Sequence, residues 1–471
     1  MTVPGEAAHE AHASQAPAAG PAAHAPAAAL LSVEEARSAV LAAVTGPTET
    51  EVVFLSDALG RVLAEPVTST TALPPWDNSA MDGYAVRAAD TAGATEDAPV
   101  RLDVVGEVRA GYAAEVEVPR GCAVRIATGA PIPPRADAVV QVELTTPLDA
   151  QGSPAGPRGR DATGPLPAAC LVHQPVAKGT AIRGVGSDLA DGVRILEAGT
   201  VVSAASVALA AGAGVPQLAV HRRPQVHVLA TGDEVRSAGQ PLGPAGIPDA
   251  NGPGIRALVT AAGGQAYALG IAKDRLDDVY AHVCAAVVGG ADAIVVSGGV
   301  SVGPYDVVKL AFEKIGRIDV WRVAVQPGKP FAFGVADRPD GGRTLLFGLP
   351  GNPASSFVTF ELFVRPAIRA LAGHPADRLL RPLDRAVLLD PISKSQGRRA
   401  FIRVVAERDP AGSPVRDIHG RVRVRLAGGA TGQGSHVISA LAAADALAVI
   451  PEPHATLDAG ADVELWWLDA G

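Results

Sequence analysis

Three turns that each follow a predicted strand carry polar groups suited to ligand binding. The first is TGDE at 231–234, which places two adjacent carboxylates after its strand. The second is SGGVSVG at 297–303, followed by Asp306, which can expose backbone N–H groups to a phosphate where a helix begins. The third is LPGNPAS at 349–355, whose prolines fix the entry to a helix. Taken singly, the first run also fits a polar turn with solvated acids, the second a tight strand-to-helix connection, and the third simple helix initiation.

One lysine lies in a stiff turn between two prolines. The run QPGKPFAFG at 326–334 brackets Lys329, in a chain whose basic residues are mostly arginine. A preorganised ammonium group suits a compact oxyanion as a point charge. The alternative interpretation is an ordinary turn with an exposed lysine.

Oxygen-bearing side chains also recur in the first half of the chain. The runs that carry them are WDNSAMDGY at 76–84, ATGAP at 127–131 and GVGSD at 184–188. Each run alone is more often a turn than a site. Together they offer Asp82, Thr128 and Asp188 as oxygen groups suited to Mg²⁺ or to a ligand.

Strands and helices alternate around the first three turns. Short apolar runs predict strands at 226–230, 293–297 and 344–348. Helical periodicity predicts helices at 254–262, 275–288, 306–315 and 354–372. This alternation is typical of a mostly parallel, doubly wound sheet, in which ligands bind beyond the carboxyl ends of the strands. The turns at 231–234, 297–303 and 349–355 all fall at those ends.

The remaining chain predicts less helix and more strand. Ser32 is the predicted N-cap of a helix at 32–44, and a second helix is predicted at 55–63. Alternating strands begin after residue 74, and a surface loop is predicted at 146–169. After residue 375 the pattern predicts a small all-β domain with strands at 386–389, 400–405, 422–426, 446–450 and 463–468. Residues 1–28 predict a disordered tail.

Composition excludes several classes of function. The net charge of −9 argues against a nucleic-acid partner. Cys122, Cys170 and Cys284 are too few and too far apart for a disulfide framework or a structural zinc site, and they suit a reducing cytoplasm. The chain has no apolar run of roughly 20 residues, which a membrane span needs, and no secretory signal. We therefore expect a cytoplasmic protein with no membrane partner.

In combination, these runs resemble the molybdopterin molybdenumtransferases, a family that includes the C-terminal domain of gephyrin. The resemblance rests on six runs that occur in the family's order: PWDNSAMDGYA at 75–85, TGAP at 128–131, TGDE at 231–234, SGGVSVG at 297–303, PGKPF at 327–331 and LPGNP at 349–353. It extends from about Ser32 to the C-terminus.

The resemblance implies a multidomain α/β fold. A central doubly wound, mostly parallel α/β sheet domain is accompanied by two β-rich domains and a helical, extended linker domain. The implied boundaries are a disordered tail at 1–28, an elongated dimerisation domain at 29–68 and 192–222, an inserted β-rich domain at 69–191, a molybdopterin-binding α/β domain at 223–375 and a C-terminal β-domain at 376–471.

The resemblance also implies a reaction and an assembly. Enzymes of this family insert molybdenum from molybdate into adenylylated molybdopterin, use Mg²⁺, and release AMP with the molybdenum cofactor. They act as homodimers with the site between subunits, and a molybdopterin adenylyltransferase is a further candidate partner.

Site residues transfer position by position from the matching runs. The implied catalytic residues are Asp82, Thr128, Asp188, Glu234, Asp274 and Asp306, and the last three are the implied Mg²⁺ ligands. The implied substrate-binding residues are Ser297, Gly298, Gly299, Ser301, Gly303, Lys329, Pro330, Pro350, Gly351, Asn352, Pro353, Arg403 and Ser435.

One departure from the family bears on function. Gln326 stands where many relatives carry a second lysine, so the oxyanion pocket holds one positive charge fewer. This leaves open a paralogue that binds the pterin nucleotide without efficient transfer. A scaffold protein, the other role found among relatives such as gephyrin, is the second alternative; that role normally accompanies an extra domain, for which the segment before Ser32 is too short.

Overall fold

The computed structural model describes residues 30–159, 164–299 and 306–468. The predicted tail at 1–28 and the predicted ligand-binding residues Ser301 and Gly303 lie outside these ranges. Within the described ranges, no helix combines the length and the apolar composition that crossing a membrane requires.

The chain begins with helix α1 (Val33–Ala42), whose first turn is closed by a capping box. Ser32 Oγ accepts the Glu35 N–H at 3.1 Å, and the Glu35 carboxylate accepts the Ser32 N–H at 2.8 Å. The predicted N-cap at Ser32 is confirmed. Val33 and Val40 of this helix are buried in the same apolar core as the α/β sheet described below.

The helix predicted at 55–63 is wrong. Strand β1 (Thr50–Phe54) leads only into a single 3₁₀ turn, Leu55–Asp57, before the chain continues to β2 (Val67–Thr68). Gly60 adopts a φ of 75°, which ends any helix, and Leu63 pairs with Val220 in an isolated bridge. Tertiary pairing therefore overrides the local helical pattern.

A six-stranded sheet follows, with strand order β7-β4-β6-β5-β9-β8. The strands of this part of the chain are β3 (Asn78–Ser79), β4 (Gly83–Val86), β5 (Val100–Val108), β6 (Cys122–Ile126), β7 (Ala138–Gln141), β8 (Thr145–Leu148), β9 (Ala169–Val172) and β10 (Ile182–Arg183). Both faces of the sheet carry apolar cores. The predicted loop at 146–169 starts later than expected, because β8 pairs with β9.

The chain then returns to the first strands. Strand β11 (Arg194–Leu196) pairs with β2, helix α2 (Ala204–Gly212) follows, and β12 (Gln217–His221) pairs antiparallel with β1. These elements share an apolar core of their own. The β-rich sheet is therefore an insertion in the sequence between β1 and β12, which pair with each other.

The central domain is built on a second six-stranded sheet with strand order β16-β13-β17-β21-β20-β18. Its elements, in chain order, are β13 (Gln225–Thr231), β14 (Val235–Arg236), β15 (Ile247–Pro248), α3 (Asn251–Ala261), β16 (Gln265–Ala272), α4 (Leu276–Val288), β17 (Ala293–Ser297), α5 (Val307–Ile315), β18 (Arg317–Arg322), β19 (Val325–Gln326), β20 (Pro330–Asp337) and β21 (Arg343–Leu349). Strands β16, β13, β17 and β21 run parallel, and β20 pairs antiparallel with its neighbours.

Helices cover both faces of this central sheet. Ile255 and Val259 of α3 pack in the core of one face, and Val283 of α4 and Phe312 of α5 pack in the core of the other. The doubly wound, mostly parallel sheet predicted from the alternating pattern is confirmed. Strand ends therefore meet at one edge, where the predicted turns lie.

The last helix of the central domain is long and irregular. It consists of α6 (Pro353–Thr359), a π-helical turn at Phe360–Val364 and α7 (Arg365–Leu371). The wide turn directly precedes Pro366, which has no N–H to donate to the ladder of hydrogen bonds. The helix predicted at 354–372 is confirmed in position.

The C-terminal region closes into a small barrel. Its elements are β22 (Leu383–Leu388), β23 (Ile392–Ser393), β24 (Arg399–Ala406), β25 (Val422–Leu426), α8 (Ile438–Ala442), β26 (Ala446–Ile450), β27 (Thr456–Leu457) and β28 (Asp462–Trp467). Pairing runs β24-β25-β22-β28-β26 and returns from β26 to β24. Strand β19 of the central domain adds to β24, so residue 326 is fixed between the two domains.

Candidate functional site

Three strand ends bring the glycine-rich turns together. Ser297 at the end of β17 pairs with Ala230 of β13 on one side and with Leu349 of β21 on the other. The Gly298 N–H donates to the Leu349 carbonyl at 3.1 Å. A Cβ added at Gly298 would lie 2.7 Å from the Thr231 carbonyl oxygen, so only glycine fits against the neighbouring strand.

Asn251 joins two of these turns. Its Nδ2 donates to Ser297 Oγ at 2.7 Å and to the Gly351 carbonyl at 2.6 Å. Asn251 lies in the first turn of α3. It was not among the predicted site residues, although the DAN run at 249–251 was the available signal.

Carboxylates crowd at the adjoining strand ends. Thr231 of β13 pairs with Ala272 of β16, which places the turn at 233–234 beside Asp274. Burial raises the pKa of Asp274, and the neighbouring charges of Asp233 and Glu234 raise it further. The structure therefore brings the predicted ligands Glu234 and Asp274 together, with Asp233 as a third acid.

Asp306 is the N-cap residue of helix α5. Its Oδ1 accepts the Lys309 N–H at 3.1 Å and caps α5, and the residue is only 5% exposed. Among the described residues, no three His, Cys, Asp or Glu side chains are grouped to hold a metal ion by themselves. Glu234, Asp274 and Asp306 are thus not assembled as a complete ligand set.

A cavity of about 680 Å³ separates the central domain from the barrel. The half-buried Lys329 lies on one wall, and Arg398 lies on the barrel side. Four hydroxyls also line it, those of Ser355, Ser393, Ser395 and Ser435. The cavity can accommodate an anion the size of a tetrahedral oxyanion with room to spare. Pro330, next to Lys329, begins β20.

Ser435 is held to the start of α6. Asn352 Nδ2 donates to Ser435 Oγ at 3.0 Å, and the Ala354 N–H donates to the Ser435 carbonyl at 3.0 Å. Pro353 occupies the first position of α6, directly after the turn formed by Pro350 and Gly351. The predicted ligand-binding residues of the last turn thus connect the strand ends to the wall of the cavity.

Arg403 lies behind that wall. It is 1% exposed, and its Nη2 donates to the carbonyls of Gly432 and Gly434 at 2.8 and 3.2 Å. The Arg403 N–H also donates to Gln433 Oε1 at 3.0 Å, and burial lowers the pKa of the guanidinium. Arg403 therefore supports the loop that carries Ser435, and its side chain is not presented to a ligand in this structure.

Gln326 and Lys394 hold the loop at 393–398 that lines the barrel side of the cavity. Gln326 Oε1 accepts the Ser395 N–H at 3.2 Å. Lys394 is 8% exposed, and its Nζ donates to the carbonyls of Arg398 and Glu452 at 2.7 and 3.2 Å. Lys394 was not predicted, because its contacts depend on loop packing that no local pattern reveals.

The predicted residues of the β-rich sheet form a separate group. The Asp82 carboxylate accepts the Thr128 N–H at 2.7 Å and its hydroxyl at 2.9 Å. Asp188 is exposed, and the turn before it is held by Asp77, whose Oδ1 accepts the Val185 N–H at 2.7 Å. Across the described residues, no hydrogen bond or ion pair joins this group to the carboxyl ends of the central sheet.

Comparison with known families covers nearly the whole described chain. A family described as the MoeA N-terminal region (domain I and II) matches residues 31–214. A probable molybdopterin binding domain matches residues 227–370, and the MoeA C-terminal region (domain IV) matches residues 385–468.

Similar proteins have the same organisation. The molybdopterin molybdenumtransferase of Haemophilus influenzae is 33% identical over 437 residues, 93% of this chain and 98% of that protein. Molybdopterin molybdenumtransferase 2 of Mycobacterium tuberculosis is 36% identical over 88% of this chain and 93% of its own length. A crystal structure of a molybdopterin biosynthesis protein from Pyrococcus horikoshii superposes with a TM-score of 0.71 at 30% identity, covering 94% of this chain and 100% of that one. The chain therefore belongs to the molybdopterin molybdenumtransferases, transferase enzymes of molybdenum cofactor biosynthesis.

Proposed function

We propose that this enzyme inserts molybdenum from molybdate into adenylylated molybdopterin and releases AMP. The observation that carries the proposal is the connection between two sites. The glycine-rich strand ends, suited to a phosphate, are linked through Asn352 and Ser435 to the cavity that holds Lys329. A nucleotide-linked pterin and a small oxyanion can therefore be bound side by side.

The Lys329 cavity suits molybdate by charge and by donor type. Molybdate is a tetrahedral dianion, which is bound best by fixed cations and hydroxyl donors through charge-assisted hydrogen bonds. The cavity offers Lys329, Arg398 and serine hydroxyls from both domains. The dithiolene sulfurs that ligate molybdenum belong to the substrate, so the position of the three cysteines is no obstacle.

The acid cluster suits Mg²⁺. Asp233, Glu234 and Asp274 repel one another, and a divalent cation relieves that repulsion. Mg²⁺ commonly keeps several waters and takes one or two carboxylates together with substrate phosphates, so a site without three protein ligands fits it. We propose Glu234 and Asp274 as direct ligands, and Asp306 as a contributor when the substrate phosphate is bound. Bound Mg²⁺ would neutralise charge on the phosphoanhydride.

Cleavage of the adenylate needs positioning and charge neutralisation more than covalent catalysis by the protein. Asn251 connects two turns by hydrogen bonds to Ser297 and Gly351. These contacts hold the edge formed by Ser297, Gly298 and Asn251 in place. These residues bind and orient the substrates. A water oxygen would attack phosphorus as the phosphoanhydride P–O bond breaks, and one oxide of molybdate would leave as water, with the two thiol protons, when the dithiolene sulfurs bind molybdenum.

We also propose that the site is completed by a second subunit. Asp82 and Thr128 lie in a group that forms no hydrogen bond or ion pair with the central sheet in the described part of one chain. Strand β1 exposes Val52 and Phe54, at 63% and 62%. Exposed apolar side chains on the two-stranded sheet of β1 and β12 favour a contact with a second subunit. A homodimer would then place Asp82 of one subunit against the strand ends of the other.

The direct test incubates the purified protein with adenylylated molybdopterin, Mg²⁺ and molybdate, and measures AMP together with active cofactor. We expect both products to form, and both to be lost when Mg²⁺ is chelated. Cofactor formation should also require molybdate. Nucleotide binding without cofactor formation at any molybdate concentration would contradict the proposal and support the non-transferring paralogue instead.

A further inference from the structure

A second and larger cavity lies away from Lys329. It is a cleft of about 1250 Å³ that runs along α3 and along the helix from 353 to 371, and it shares no lining residue with the Lys329 cavity. Asn251 and Pro353 lie at one end. Arg365 stands 12 positions beyond Pro353, about 18 Å farther along the helix.

Four guanidinium groups gather at the far end of this cleft. They belong to Arg365 and Arg369 of α7 and to Arg378 and Arg381 of the segment that leads to β22. Arg381 forms two hydrogen bonds with the buried Glu361, at 2.9 and 3.0 Å. Glu361 therefore neutralises one of the four charges.

The other guanidinium groups are incompletely paired. Arg365 is 6% exposed, its Nε lies 3.5 Å from Glu361, and neither Nε nor Nη1 has a hydrogen-bond partner in the described chain. Arg369 donates to the Arg378 carbonyl at 2.6 Å and to His374 Nδ1 at 3.2 Å. Neither Arg369 nor Arg378 forms an ion pair with any described residue.

Arg365 is the buried member of the group, and its Nε and Nη1 donors are costly to bury unless an anion accepts their hydrogen bonds. Asp377 is the one acidic residue that lines the cleft, and Glu361 lies behind the arginines. The four arginines therefore outnumber these two acids. Much of the remaining lining is apolar and includes Leu258, Phe357 and Leu441. The cleft thus combines guanidinium groups at one end with apolar side chains along the rest of its lining.

We propose that this cleft is a second anion-binding site, which takes an organic phosphate monoester with an apolar body. Phosphate oxygens match the planar donor forks of arginine, and the apolar body packs between α3 and α8. The volume exceeds that of a usual small-molecule pocket, so the ligand includes more than the phosphate alone. Because the cleft ends at Asn251, a ligand there lies next to the strand ends of the transfer site.

The proposal is tested with 1-naphthyl phosphate as the probe, titrated against the full-length protein by calorimetry. We expect saturable binding at one site per chain, and binding of the neutral 1-naphthol at least tenfold weaker. The double variant Arg369→Gln/Arg378→Gln should weaken phosphate binding tenfold or more. Both residues are partly or fully exposed, so this variant keeps the fold.

Two control variants make the result specific. Arg101→Gln/Arg109→Gln removes the same charge from exposed positions of the β-rich sheet and should leave the affinity unchanged. Lys329→Gln should also leave it unchanged, which separates the cleft from the oxyanion cavity. Equal affinity for 1-naphthol, an unaltered affinity in the Arg369/Arg378 variant, or an equal loss in either control would overturn the assignment.

Discussion

At the scale of single residues, the chemistry depends on a few charges held in fixed positions. The turn before Lys329 requires glycine, because Gly328 has a φ of 111° and a Cβ there would lie 2.5 Å from Thr359 Cγ2. The sequence predicted a stiff turn around Lys329, and the role of Lys329 in binding an oxyanion stays a prediction. It did not predict that Arg403 is buried, because that depends on where the distant loop at 432–434 packs.

Lys329→Gln should raise the molybdate concentration needed for half-maximal cofactor formation by roughly tenfold, since one charge-assisted hydrogen bond is lost. Gln326→Lys should lower that concentration, because it adds a cation to the same cavity. Lys309→Gln, on the exposed side of α5, is the control and should have no effect. An unchanged molybdate profile in Lys329→Gln would remove this residue from the oxyanion site.

Asp274→Asn should raise the melting temperature of the protein without Mg²⁺, because it removes the repulsion from Asp233 and Glu234. The same variant should lose the stabilisation that added Mg²⁺ gives to the unaltered protein. Differential scanning fluorimetry with and without Mg²⁺ measures both effects. Asp337→Asn, an exposed acid of β20, is the matched control. Mg²⁺ stabilisation that survives in Asp274→Asn would place the ion elsewhere.

At the scale of elements, periodicity predicted most of the central domain. The strand predicted at 293–297 is found with the same bounds, since five consecutive apolar or small residues are buried on both faces. The helix predicted at 55–63 failed because Gly60 and a pairing with residue 220 decide that segment, and a contact so distant in sequence leaves no local pattern. The hydrogen bonds of Asn251 to other turns could not be predicted either, because their partners are also distant in sequence.

Ser32→Ala should lower the free energy of unfolding by about 1 kcal/mol, because the first turn of α1 loses its side-chain cap. Urea denaturation measures the change. The exposed Ser237→Ala is the control and should change stability by less than about 0.5 kcal/mol. Equal stability of the two variants would show that the capping box contributes nothing to the fold.

His374, just after α7, should make the fold sensitive to acid. Burial, followed by the charges of Arg369, Arg365 and Arg378, lowers the pKa of His374 from 6.5 to about 4. As the pH falls from 6.5 towards 4, the unfolded chain therefore takes up the proton first, and stability is lost over that window. His374→Gln should remove this loss.

Urea denaturation at pH 7 and pH 5 measures the effect of His374. The decline in free energy of unfolding between these pH values should be smaller in His374→Gln by about 1 kcal/mol, after allowance for solvent screening. His454→Gln, at an exposed position, should decline like the unaltered protein. A decline in His374→Gln as steep as in the control would contradict the assignment.

At the scale of the whole molecule, the sequence carried no signal for the contacts between regions of the chain. Each domain has its own periodic pattern, whereas the cavity between central domain and barrel arises from β19 pairing with β24 and from Ser435 meeting α6. The arginine cleft is likewise built from segments that lie far apart along the chain. The lack of a hydrogen bond or ion pair between the Asp82 group and the central sheet, among the described residues, is the feature that motivates the proposal of a second subunit.

Mixing two impaired variants tests most directly the central claim, which is transfer at a site shared between subunits. Well below the molybdate concentration that half-saturates the unaltered protein, Asp82→Asn and Lys329→Gln should each strongly reduce cofactor formation on their own. After subunit exchange of equal amounts, half of the dimers are mixed and each holds one intact site, so about one quarter of the unaltered activity should return. Complete exchange without any regained activity would contradict a site built from Asp82 of one subunit and Lys329 of the other.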